Sequence, residues 1–238
     1  MKVDILAFGA HPDDVELSAS GTLLKYIHQG KKAAIVDLTE GELGSRGTNL
    51  TRFSEAKLAA SILGLEARIN LGLGDGFFEH NQDNLIKVIE QIRFFKPEIV
   101  FANAIDDRHP DHAKGSKLVS DACFLSGLLK IKTNYQGKAQ EHYRPKAVYH
   151  YIQDRYVKPS FVIDISNFID KKFEAIFAYN TQFYYPEMQG PQTPISSENF
   201  IEFLKGRMAT MGRDIDVPFA EGFTVERTIG VQDIFDLI

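Results

Sequence analysis

The chain has 238 residues, 44% hydrophobic and 25% charged, which gives ample apolar material for a core and excludes disordered, collagenous and low-complexity classes. Its formal charge of −5 argues against nucleic acid as a partner and favours small molecules. Cys123 is the only cysteine, so there is neither an intrachain disulfide nor a paired-cysteine zinc motif.

The opening segment, Val3 to Phe8, reads as a buried strand that runs into polar residues without a cleavage-like site. No apolar run approaches the roughly 20 residues a membrane helix needs, so no membrane partner is expected and the cytoplasm is the expected compartment. A helix is predicted over 18–29, closed by Gly30, then a strand over 33–38. Phe53, Ala56, Ala60 and Leu63 give 52–63 helical spacing, and Gly64 stops it. A short strand follows over 67–71. The segment 85–95 carries Ile86, Ile89, Ile92 and Phe95 on one helical face and ends before Pro97. A strand over 99–102 and a helix over 113–129 complete the regular part. Beyond Lys130 the pattern weakens, to strands over 147–152 and 161–165 and helices over 168–179 and 198–208. The Pro- and Gly-rich stretch 184–194 is a predicted loop. This alternation predicts an α/β fold, a Rossmann-like open and mostly parallel sheet with helices on both faces, with residues 1–238 forming one domain.

Two segments carry chemistry. Gly9-Ala10-His11-Pro12-Asp13-Asp14 and Arg108-His109-Pro110-Asp111-His112 each follow a predicted strand and precede a helix, where ligands bind in doubly wound sheets. His-Pro-Asp thus occurs twice in a chain with seven His and nine Pro. A lone loop histidine is ordinarily solvated, and Asp13 or Asp14 alone could simply cap the helix near Glu16. Two copies at two strand ends weigh against that. Imidazole and carboxylate donors suit Zn²⁺, with Fe²⁺ also tolerated, and His11, Asp14 and His112 make a three-ligand set that leaves a position for water. Asp13 would stay off the ion and take a proton from water. His109, oriented by Asp111, would donate to a developing oxyanion. His28, His80, His142 and His150 lack such company and read as structural or exposed. The segment 71–76 (LGLGDG) lacks the third spaced glycine of a nucleotide loop. Asp37 sits where a ribose-binding acid would, but the first strand-to-helix turn is not glycine-rich, so no NAD site is expected.

With these motifs the sequence resembles the zinc-dependent LmbE-like or PIG-L deacetylases. The shared marks are the strand ending in AHPDD, Ser20-Gly21-Thr22, the loop 41–48 (GELGSRGT), Arg52 with Glu55, Asp75-Gly76, and the HPDH segment. His-Pro-Asp-Asp-Val-Glu, the run 107–112 (DRHPDH) and 219–223 (FAEGF) look closest to the bacillithiol-biosynthesis deacetylases, which remove acetate from N-acetylglucosaminyl malate. The resemblance implies zinc at His11, Asp14 and His112, the base at Asp13 and oxyanion or leaving-group contact from His109. It also implies substrate contact at Arg52, whose guanidinium would grip the malate carboxylates. It further implies a small amino-sugar glycoside as substrate and a homo-oligomeric assembly. Many relatives have a glycine-rich turn where this chain has 17–21 (LSASG), a change beside the pocket that bears on substrate preference. The residue completing the pocket from the C-terminal half is Tyr184, Tyr185, Gln182 or Glu221. Competing expectations are deacetylation of another amino sugar, such as a chito-oligosaccharide, and a non-catalytic metal- or sugar-binding module.

Overall fold

The computed structural model describes residues 1–183 and 190–237. Its main sheet has seven strands. Five of them pair with one another in parallel: β1 (Ile5–Gly9), β2 (Ala33–Thr39), β3 (Ala67–Leu73), β4 (Ile99–Ala102) and β7 (Ala147–Tyr151). The other two are β8 (Phe161–Asp164) at one edge, which points the same way, and β9 (Ala220–Val225), which runs antiparallel between β7 and β8. The strand order is β3-β2-β1-β4-β7-β9-β8. A two-strand hairpin, β5 (Asn134–Tyr135) and β6 (Lys138–Ala139), stands apart.

Alternate residues of the central strands go to opposite faces, and both faces are covered. Leu6, Phe8, Val36 and Val100 pack against α4 (Gln82–Phe95) and α5 (Pro110–Leu125) through Val88, Ile92, Leu118 and Val119. Ile5, Ala7, Ile35 and Phe101 pack on the other face against Val15 of α1 (Asp14–Ser18), Leu23 of α2 (Ser20–His28), Leu63 of α3 (Asn49–Leu63) and Ala175 of α6 (Ile169–Phe177). α7 (Glu198–Arg213) joins a third apolar cluster through Ile201, Leu204 and Met208.

The mostly parallel sheet flanked by helices is the one expected, with corrections at element ends. The helix predicted over 18–29 is α2, and a separate short helix, α1, precedes it, the two divided at Ala19, whose φ of −140° leaves the helical region. α3 starts at Asn49, three residues early, because Thr48 and Thr51 form a reciprocal cap. Asn81 likewise starts α4 early. α5 begins at Pro110, where proline suits a helix's first position, and His109 is its cap. β9 and the hairpin were not predicted: Glu221 and Gly222 interrupt the apolar pattern of β9, and the hairpin strands are too short to carry one.

The chain leaves β1 toward β2 on one side and reaches β4 on the other. The carboxyl ends of β1 and β4 therefore form the switch point at which open α/β sheets bind ligands.

Candidate active site

Both His-Pro-Asp turns lie at that switch point. His11, Asp13, Asp14, Arg52, His109 and His112 line one cavity of about 340 Å³, a size suited to a small molecule. Asp111 is fully buried behind it.

Asp14 is the centre of the cluster. Its Oδ2 lies 3.6 Å from His11 Nδ1, and its Oδ1 lies 3.1 Å from His112 Nε2. Each imidazole turns its other nitrogen to a further acid: His11 Nε2 to Asp75 at 3.0 Å, and His112 Nδ1 to Asp107. A carboxylate behind each ring fixes its tautomer and raises its basicity, the arrangement typical of metal-binding histidines. Two amides orient Asp14 in turn, as Asn103 Nδ2 donates to Oδ2 at 2.9 Å and Gln153 Nε2 donates to Oδ1 at 3.1 Å. Burial opposes ionisation of Asp14, but His112 and His11 overcome it and hold the carboxyl well below its usual range.

The imidazoles behave conversely. Burial would lower His112, yet Asp14 and Asp107 push it up to about 9. Burial likewise opposes a charged His11, and bonds to Asp111, Asp14 and Asp75 raise it well above the ordinary histidine value. Two rings held as cations between acids carry the charge that one divalent ion would bring. Imidazole and carboxylate are donors that suit such an ion, and His11 Nδ1, Asp14 and His112 Nε2 come together here from the two turns. The His109 ring also comes close, with donor nitrogens of His11, His109 and His112 within 4.8 Å of one another. Donor atoms of His11, Asp75 and Asp111 form a second group of that size.

Asp13 is the cap residue of α1 but makes no capping bond, and its φ of 119° is strained for a residue with a side chain. The capping alternative therefore fails for Asp13. Its carboxyl is pushed up to about 7, by burial first, with Arg52 pulling it down and Asp14 pushing it up. Arg52 is 6% exposed and already engaged: Nη1 donates to Gln182 Oε1 at 2.7 Å, and Nη2 to Pro12 O at 2.7 Å and Asp13 at 3.2 Å. Gly41, at φ 68°, lies so close that a Cβ there would stand 3.1 Å from the guanidinium. Arg52 borders the cavity with Nη1 and Nη2 engaged by Gln182, Pro12 and Asp13, while its buried Nε donates to no group among the described residues.

His109 accepts the Asp111 backbone N–H on Nδ1 at 3.2 Å, which assigns the proton of the neutral ring to Nε2. Burial, then the neighbouring His11 and His112 rings, hold His109 below the ordinary value, so it is neutral near pH 7. The Asp111 carboxylate does not orient this ring, contrary to expectation. It accepts from Gly76 N at 2.7 Å, pairs with Lys114 at 2.6 Å and lies 3.5 Å from His11 Nε2.

Of the four candidates for completing the pocket, Gln182 lines it while holding Arg52. Glu221 does not line it, since its oxygens accept Gly21 N at 2.9 Å and Thr22 N at 2.7 Å and pair with Lys172 at 2.8 Å. Tyr184 and Tyr185 lie outside the described residues. Leu17 and Ser18, from the turn that departs from the family pattern, do border the cavity. Asn103 and Gln153 escaped the sequence reading, for no local pattern marks them. Asp37 is gripped by Arg68 through two bonds of 2.7 and 2.8 Å and has no free edge for a ribose.

Residues 6–123 match the family model described as GlcNAc-PI de-N-acetylase, PIG-L. The chain is 26% identical to the diacetylchitobiose deacetylase of Thermococcus kodakarensis, over 75% of this chain and 70% of that one. It is also 26% identical to a probable N-acetyl-alpha-D-glucosaminyl L-malate deacetylase 2 of Bacillus anthracis, over 75% of this chain and 81% of that one. The crystal structure of a conserved protein from Thermus thermophilus superposes with a TM-score of 0.86 at 34% identity, covering 97% of this chain and 98% of that one.

Proposed function

The chain belongs to the GlcNAc-PI de-N-acetylase (PIG-L) family, and we propose that it is a metal-dependent amidohydrolase that removes the acetyl group from N-acetylglucosaminyl malate. The observation that carries the reading is Asp14 set between two imidazoles, each backed by its own acid, with the Asp13 carboxyl beside them on the cavity wall.

His11, Asp14 and His112 would hold the ion, zinc or iron(II), which when bound supplies Lewis-acid polarisation of the acetamide and a more acidic water. Asp13, poised near neutrality, accepts the proton of the attacking water. Arg52 holds Asp13 in place and keeps enough of it ionised to act. His109 donates a hydrogen bond from Nε2–H to the oxyanion, and the proton that Asp13 took from water passes to the departing amine. The products are acetate and a free amino sugar.

A second reading, deacetylation of diacetylchitobiose, is favoured by the match to the Thermococcus enzyme. Steady-state acetate release from both glycosides, with and without chelator, separates the two. Higher kcat/KM on the malate glycoside, abolished by chelator, is the expected result. Preference for the chitobiose would move the assignment to the second reading, and release from neither would overturn both.

A further inference from the structure

Three arginines border the candidate active-site cavity, and they are not equivalent. Arg52 has Asp13 at 3.2 Å and Arg108 has Asp154 at 2.6 Å. Arg207, reaching in from α7, has no carboxylate within 4.0 Å among the described residues. Its Nη1 donates to the Gln153 backbone carbonyl and its Nη2 to Leu17 O at 3.0 Å, with the Phe203 ring 5.8 Å away. Two of the five guanidinium N–H groups are thus engaged, both by neutral carbonyls.

A guanidinium set into a protein wall is costly unless an acid faces it. Burial lowers Arg207 to about 10, against the pull of Asp154, Glu221 and Asp107, so the side chain still carries its charge near pH 7. Its position is fixed, because the residue whose carbonyl it holds, Gln153, also orients Asp14 through its side chain at 3.1 Å. Beside it on the same wall lie Ile195, Phe200 and Leu204. These apolar neighbours lower the local dielectric and strengthen a charge-assisted bond formed there. The planar donor fork suits a carboxylate better than a hydroxyl.

We propose that Arg207 is a specificity-determining residue that receives a carboxylate of the substrate, so that the preferred substrates are N-acetylglucosaminides whose aglycone is an acid. This rests on the deacetylase reading of the site. It also moves the carboxylate grip from Arg52 to the one cavity arginine without an acidic partner among the described residues.

The test compares wild-type protein with Arg207→Met and Arg207→Lys on N-acetylglucosaminyl malate and on the neutral diacetylchitobiose. The ratio of kcat/KM for the acidic over the neutral glycoside should fall about 10- to 100-fold in Arg207→Met, mostly through KM, with Arg207→Lys in between. An unchanged ratio, whether both activities fall together or neither falls, would overturn the proposal and leave Arg207 as a tie between Gln153 and Leu17. Should the wild type release acetate from neither glycoside, the deacetylase reading falls by itself. Calorimetric titration with free L-malate then decides the matter. Weaker binding to Arg207→Met than to wild type supports the carboxylate site, and equal binding or none overturns it.

Discussion

Two clusters of buried charge meet at the short helix α1, and they are built on opposite principles. Glu16 faces a closed one: Arg68 bonds both Asp37 oxygens and Glu16, and the Tyr179 hydroxyl donates to Glu16 at 3.1 Å. Nearby, Lys172 pairs with Glu221, whose oxygens also cap the first N–H groups of α2, where the helix dipole favours an anion. Asp14, two residues before Glu16, faces an open cluster in which Asp13, Asp14, Asp75, Asp107 and Asp111 stand against the permanent cations Arg52 and Lys114. Three carboxylates held directly by Arg68 and Lys172, with no imidazole among them, lock the fold, although Asp37 and Arg68 also border a second cavity. Excess acid with imidazoles on a cavity wall is a seat for a cation and a reaction.

The largest effect expected from this contrast is at Asp13. Asp13→Asn should lower kcat by about 10² to 10⁴ while the protein still binds its ion, because the base is removed and no donor to the ion is. Undiminished turnover with the ion bound would place the base elsewhere. On the closed side, Lys172→Met leaves Glu221 buried without its cation and should cost about 3–5 kcal/mol in denaturant unfolding. Its kcat/KM should stay close to wild type below the melting range. A specific loss of turnover without destabilisation would dissolve the distinction between the clusters.

Arg52→Met should reduce kcat/KM by about one order of magnitude and move the acid limb of its pH profile upward. Arg52 lowers the Asp13 pKa, so its loss raises the pH at which the base becomes ionised. A limb displaced downward would contradict the positioning role. The smallest signal is in protons. Below about pH 9 the ion-free chain holds His112 as a cation, and Asp111, Asp14 and Asp75 raise His11 above the ordinary histidine value, so ion binding must eject ring protons and tighten as pH rises. Calorimetry in buffers of different ionisation heat should report about two protons released per ion. Release of none would mean the imidazoles are not the donors.

The open cluster was half legible in the sequence. His11, Asp14 and His112 stand out because proline follows each turn's first histidine and each turn joins a strand to a helix. Asp13 and His109 come with the same runs. The supporting groups were not legible as a set: Asp75 follows β3, Asn103 and Asp107 follow β4, and Gln153 follows β7, so only the parallel sheet brings them together. Arg52 was visible as a cation at a helix start, but its engagement by Gln182, 130 residues on, was not. The strands and their parallel sheet followed from alternating apolar runs as far as β4, though not the order in which the strands lie. The pattern faded where β9 carries a buried glutamate, a residue that strand patterns count as exposed but that caps α2 from a distance of 200 residues. The closed cluster, made of Glu16, Asp37, Arg68 and Tyr179 from four separate elements or loops, left no local trace.

The central claim is that one divalent ion is held by two remote turns of the chain. Elemental analysis of protein loaded with zinc and then desalted tests it most directly, on wild type and on Asp14→Ala and His112→Ala chains that retain a cooperative unfolding transition. The account predicts one ion per wild-type chain and none in either variant, with acetate release tracking the ion. Full occupancy in both variants, or acetate release from ion-free protein, would contradict it.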